Sequence, residues 1–261
     1  MEITRWAAAV EYVGTRYSGW QSQQHAPSVQ GELETALSRV AAHPVAVSAA
    51  GRTDAGVHGH AQIIHFDSPS RRSPYAWLLG TNTHLPPDVS LRWVQAVAPD
   101  FHARHSAVAR RYRYVIHNSR ARSALLSDRA AWLAWTLDEQ AMHRASQCLI
   151  GELDFSAFRG AQCQSTTPWR CVTDIAVWRR NDFVLIDIRA NAFLHHMVRN
   201  IAGTLMEVGQ GRQSEAWVAE VLASRDRTRA GMNAPAQGLY FVAADYPAHY
   251  GLPAAADFWL P

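Results

Sequence analysis

The chain has 261 residues, 48% of them hydrophobic and 18% charged. This composition excludes a disordered chain or a charged coil and fits one large domain or two small ones. The formal net charge is +3, and all 25 basic residues are arginine. That permits an anionic partner and rules out a P-loop lysine, a Schiff-base amine and a kinase strand lysine.

Trp6 to Tyr12 is a short Ala/Val/aromatic run that reads as a strand, and the polar, Gln-rich stretch from Gly14 to Pro27 reads as a loop. Ser28 can cap a helix with Val29, Leu33, Ala36, Leu37 and Val40 on one face. Val45 to Ala50 and Ala61 to Phe66 are predicted strands on either side of a glycine-rich segment. A helix is predicted over Arg71 to Gly80, with Pro74 in its first turn, followed by a strand from Val89 to Val97. The order is β-α-β-β-α-β.

The second half repeats it. Ser106 to His117 is a predicted strand, and Asp138 can cap a helix from Glu139 to Ile150. Cys171 to Arg179 and Phe183 to Arg189 read as strands joined by a turn at Asn181-Asp182. A helix from Phe193 to Val208 carries Met197, Ile201 and Leu205 on one face, Ser214 can cap another over Glu215 to Ala223, and Leu239 to Ala244 is the last strand. The pattern predicts an α+β chain of two tandem split β-α-β (ferredoxin-like) halves, 1–104 and 105–261. Their antiparallel sheets can join edge to edge, leaving a central cleft.

Cys148, Cys163 and Cys171 are odd in number and lack C-x-x-C spacing, which points to a reducing, cytoplasmic setting without a zinc knuckle. Met1 to Arg5 lacks a signal-peptide pattern, and no apolar run approaches the ~20 residues of a membrane span.

The densest chemistry lies in Ala50-Gly51-Arg52-Thr53-Asp54-Ala55-Gly56-Val57-His58-Gly59-His60. Its glycines allow tight turns and close backbone approach to a ligand. Asp54 can serve as a nucleophile or general base, although from the residues alone an Asx-turn in a glycine loop is the plainer reading. His58, His60 and His65 suggest a metal cluster at first sight. The segment offers no acidic third ligand besides Asp54, so no metal is expected. His195-His196 are neighbours on a predicted helix and point about 100° apart, which suits packing or RNA contact better than chelation.

The segment Gly51 to Gly59, GRTDAGVHG, resembles the signature of the TruA-type tRNA pseudouridine synthases. Further blocks follow in the family's order: Gly14-Thr15-Arg16-Tyr17-Ser18-Gly19-Trp20-Gln21, Phe101-His102-Ala103-Arg104, Arg111-Tyr112-Arg113-Tyr114, Phe193-Leu194-His195-His196-Met197-Val198-Arg199-Asn200, and Gly238-Leu239-Tyr240. The resemblance covers almost the whole chain.

It implies isomerisation of uridine to pseudouridine at nucleotides 38, 39 and 40 of the tRNA anticodon arm, by a homodimer using neither metal nor organic cofactor. It makes Asp54 the catalytic aspartate, with covalent addition at C1′ and a glycal route both open. Arg199 would pair with Asp54. Tyr112 would stack on the target base, with either its hydroxyl or a water handling the C5 proton, and Leu239 would lie beneath the uracil. A base inside a stem must be flipped out, at a few kcal/mol, and Arg52 would hold the space it leaves. Arg16, Gln21, Arg104, Arg110 and Arg111 are candidates for RNA backbone contacts, which position without reading sequence. In one departure, Val13 stands where the family commonly has Asp. The alternatives are a catalytically silent tRNA-binding or remodelling protein and a metal hydrolase built on Asp54, His58 and His60.

Overall fold

In the computed structural model, which describes residues 3–256 and 258, strand β1 (Thr4–Tyr12) shows why its run of small and aromatic residues is needed. Trp6, Ala8, Val10 and Tyr12 share one face by the two-residue period of a strand, and all four enter a single buried cluster. Helix α1 (Val29–Ala41) covers them with Val29, Leu33 and Leu37. The Ser28 hydroxyl caps that helix by accepting the Gly31 N–H at 3.2 Å.

Of the strand predicted over Val45 to Ala50, only β2 (Ser48–Ala49) forms. The cause is local competition for donors. The Val45 N–H is donated to the Ser38 hydroxyl and the Val47 N–H to the Glu34 carboxylate, both on α1, so neither is available to a ladder. Strand β3 (His58–Ser68) is longer than predicted. Helix α2 (Pro74–His84) starts at the proline, capped by the Ser73 hydroxyl, and ends where Leu85 precedes Pro86 and turns extended. Its Trp77 is fully buried against Phe66, 5.0 Å away and edge-on. Strand β4 (Val89–Ala96) pairs antiparallel with β1, which pairs antiparallel with β3.

Strand β5 (Ala109–Asn118) opens the second set, with a short parallel neighbour, β6 (Ala131–Leu133), that had no sequence signal. Helix α3 (Glu139–Ser146) has the expected Asp138 cap, whose carboxylate accepts the N–H groups of Gln140 and Ala141. It ends four residues short of the prediction, in a tight 3-10 turn at Gln147–Leu149. Strand β7 (Gly151–Asp154), also not anticipated, pairs with β8 (Trp169–Arg180). β8 turns at Asn181, which takes a left-handed φ of 52°, into β9 (Phe183–Ala190), as the Asn-Asp pair predicts.

Helix α4 (Met197–Gly209) begins four residues later than predicted because His196 adopts φ 63°, a left-handed conformation that no α-helix continues through. Helix α5 (Trp217–Ser224) starts after Ala216, so Ser214 is not its cap; the Ser214 carbonyl instead accepts the Trp217 N–H in a turn. Strand β10 (Leu239–Asp245) closes the order.

Two compact units result. One comprises residues up to Val108 together with those from Phe241 onward; the other is Ala109–Tyr240. The first holds a sheet ordered β4-β1-β3-β10, antiparallel at β4-β1 and β1-β3, with α1 and α2 contributing to its core. The second holds β5-β9-β8-β7, with β6 alongside β5. The chain is α+β, with mostly antiparallel pairing.

Candidate active site

The loop between β2 and β3 carries Asp54, and it is fixed on both flanks by the first unit. On one side the fully buried Gln62 amide brackets Gly51, donating to its carbonyl at 2.5 Å and accepting its N–H at 3.3 Å. The Thr53 hydroxyl shares a 2.8 Å hydrogen bond with the Tyr12 phenol, and both residues are buried. Burial pushes the Tyr12 phenol well above its ordinary range, so it stays neutral. The Thr53 carbonyl accepts the Trp20 N–H at 3.0 Å.

On the other side, the Asp54 carbonyl accepts the Val57 N–H at 3.1 Å, closing a turn whose third residue, Gly56, has φ 78°. Ala55 has no positive φ, so this is a type II turn, and it calls for glycine at that position. Thr53 and Val57 are buried, Asp54 is half-buried, and Arg52 and Ala55 are exposed. Asp54 therefore sits in a loop whose footings, Thr53 and Val57, are in the core.

The first loop packs directly against this one. A Cβ on Gly14 would fall 1.9 Å from the Val57 carbonyl oxygen, and one on Gly19 would fall 2.8 Å from that of Thr53. Gly19 also has φ 101°. Only glycine permits both approaches. The His58 Nδ1 accepts the Gly14 N–H at 3.1 Å, and the His65 Nδ1 accepts that of Ala103, also at 3.1 Å. These two nitrogens are spent on the backbone rather than on a metal.

Asp88 organises the far end of the first loop: its carboxylate accepts from the Tyr17 phenol at 2.7 Å and pairs with Arg16 at 3.2 Å, and its carbonyl accepts the Val13 N–H. The loop thus has a carboxylate anchor although position 13 is valine. Arg16 remains mostly exposed beyond that tether, and Gln21 is exposed with its amide on Gln30. Arg104 is exposed next to His102, whose Nδ1 accepts the Arg104 N–H.

The second unit collects the other candidates. Tyr112 and Tyr114, two apart on β5, share a sheet face. The Tyr112 ring meets Phe193 edge-on at 4.9 Å, which is where Phe193 goes instead of joining α4. Tyr114 is fully buried and donates to the Pro235 carbonyl at 2.8 Å. Arg199, half-buried, donates through Nε to the adjacent Ala234 carbonyl at 2.7 Å.

Leu239 is buried next to Gly238, where a Cβ would collide with the Tyr114 ring at 2.7 Å. α4 is clamped to the same segment: a Cβ on Gly203 would sit 1.7 Å from the Met232 carbonyl oxygen. Arg110 donates to the Asn191 carbonyl at 2.9 Å. Arg111 shares the buried Asp187 carboxylate with Arg113. His195 and His196 are stacked at 3.8 Å.

Tyr12, Gln62, Gly14 and Gly19 are the residues that sequence reasoning missed as positioning groups. Their role depends on the pairing of β1 with β3, which brings Tyr12 opposite Gly59.

An antiparallel α+β chain with a rigidly footed carboxylate loop and a surplus of arginine suits an enzyme acting on a polyanion. Comparison with known proteins narrows this. The family described as tRNA pseudouridine synthase matches residues 8–106 and 145–247. The chain is 56% identical to tRNA pseudouridine synthase A of Klebsiella pneumoniae over 251 residues, covering 96% of this chain and 93% of that protein. It is 57% identical to tRNA pseudouridine synthase A of Escherichia coli over 247 residues, covering 95% and 92%. The chain belongs to the tRNA pseudouridine synthase family and is an isomerase acting on tRNA. No described helix is long and apolar enough to cross a membrane.

Proposed function

We propose that the chain isomerises uridine to pseudouridine at positions 38, 39 and 40 of the tRNA anticodon arm, with Asp54 as the catalytic carboxylate. The observation that carries this reading is the footing of Asp54. Thr53 and Val57 are buried and hydrogen-bonded on either side of it, while Asp54 as a residue is half-buried. A group so held reacts with a base delivered to it without first ordering its own loop.

The target uridine leaves the stack to reach it, at a few kcal/mol, and the exposed Arg52 two residues away is suited to hold the gap. In this reading Tyr112 stacks on the flipped base, Leu239 supplies an apolar contact, and Arg199 supplies a guanidinium counter-charge. Arg16, Gln21, Arg104 and Arg110 contact the RNA backbone. Arg111 is the weakest of that group, because Asp187 already holds its guanidinium.

Tritium release from [5-³H]uridine-labelled tRNA tests the assignment. Asp54→Asn should lower release by at least about 10⁴-fold, the order of loss when an acting carboxylate is removed, while tRNA still binds. Release that survives in this variant refutes it. Release absent from the wild type favours a silent tRNA-binding protein, and release abolished by chelator favours the metal-dependent alternative. The resemblance also supports a homodimer, for which light scattering would give twice the chain mass.

A further inference from the structure

A cavity of about 180 Å³ lies within the second unit, lined by His117, Arg122, Leu126, Ser127, Ala130 and Trp132 among others. His117 and Trp132 are register partners on β5 and β6. On its other side His117 pairs with Phe183, whose ring is 5.5 Å away. Trp132 is half-exposed, and its indole N–H is fixed on the Ser119 carbonyl at 2.8 Å, so the ring face is held in place. The loop over the cavity is pinned as well: the Arg129 and Ala130 N–H groups both reach the Leu126 carbonyl, and the Tyr240 phenol donates to the Arg129 carbonyl. His117 is 9% exposed, yet its Nδ1 has no hydrogen-bond partner among the described residues. Arg120 and Arg122 are exposed on the segment that leads into the loop.

We propose that this cavity is a base-binding subsite that takes one unstacked nucleobase of the bound tRNA, on residues other than those of the catalytic loop. It rests on tRNA being the substrate. The volume is below the roughly 300–1,000 Å³ of drug-sized sites and suits one planar ring system. A fixed indole face offers stacking, which is sequence-tolerant. His117, the register partner of Trp132, adds a second aromatic ring to the lining. An arginine on the rim suits the attached phosphate. An aliphatic side chain would fill the space but leave the rim arginine without an anion.

The test is tRNA affinity as a function of salt for Trp132→Ala, Trp132→Phe and Ser127→Trp. Ser127 is exposed, so its replacement fills the cavity without disturbing the core. Trp132→Ala should weaken binding about 5- to 150-fold, the effect of losing one stacked base, and Ser127→Trp should weaken it comparably, while Trp132→Phe stays within about threefold. The slope of log affinity on log salt should be unchanged in all three, because no phosphate contact is lost, whereas Arg122→Gln should lower it by about one. Turnover at saturating tRNA should be unchanged, so that KM alone rises.

Affinity within about twofold of wild type in both Trp132→Ala and Ser127→Trp overturns the proposal. So does Trp132-dependent saturation-transfer NMR signal from UMP or AMP with tRNA affinity unaltered, which would assign the cavity to a free mononucleotide. If wild type binds tRNA but releases no tritium, the catalytic reading fails while these affinities still decide the subsite.

Discussion

His65 lies under a row of imidazoles: its ring is 4.5 Å from His102, which is 4.3 Å from His105. Burial, followed by the positive charges His102, Arg5 and His105 can carry, drives the His65 pKa down from 6.5 to about 4, against a smaller opposing pull from Asp67. Protonation would also cost the Nδ1 lone pair that accepts the Ala103 N–H. The folded-state value lies below the unfolded one, so between them the unfolded chain binds more protons and stability rises with pH. The contribution is complete above about pH 6.5 and is lost as the pH falls towards 4, an effect on the order of 2–3 kcal/mol. Urea unfolding across that range should show the decline, and His65→Gln should flatten it. A slope in the variant equal to that of the wild type would refute the assignment to His65.

At the scale of elements, the two loops of the first unit act as one body because Gly14 and Gly19 let their backbones touch. Gly14→Ala places a Cβ 1.9 Å from the Val57 oxygen, and backbone does not yield as a flexible side chain would. The Asp54 turn must shift, and a displacement near 1 Å at a reacting group costs on the order of 100-fold. Single-turnover kinetics should show that fall with tRNA affinity nearly unchanged; a variant of normal rate would show that the contact does not position Asp54.

The same scale explains what could be read from the chain itself. Helix α1 with its Ser28 cap, α3 with Asp138, and the turn at Asn181 were legible because their causes lie within a few residues. The shrinkage of β2 and the late start of α4 were not. The first comes from α1 side chains taking the donors at Val45 and Val47. The second comes from a left-handed His196 whose ring meets the Asn233 amide. Asp54 stood out only through its resemblance to a known pattern, since an aspartate in a glycine loop has many ordinary uses. Tyr12 and Gln62 carried no signal, because what they hold is set by strand pairing.

For the whole molecule, the absence of lysine has a direct chemical readout. Permanent side-chain positive charge at RNA phosphates must come from guanidinium groups, which bind phosphate as planar forks. Amine acylation, which can reach no lysine side chain, should leave tRNA affinity within about twofold, whereas phenylglyoxal should abolish it and bound tRNA should protect. Strong inhibition by acylation would mean that the chain's terminal amine lies at the RNA.

The order of synthesis gives the discontinuous first unit a particular vulnerability. A ribosome that has made residues 1–108 has produced β1 through β4 but not β10, the neighbour of β3 within that unit. At about 5–20 residues per second, the missing strand arrives roughly 7–30 s later. Throughout that interval the edge of β3 away from β1 is an open ladder except where β2 pairs with Ile64 and His65, and an edge of this kind recruits other chains. The second unit, Ala109–Tyr240, is what the ribosome makes in that interval, so it grows throughout on the end of a first unit that is still unfinished.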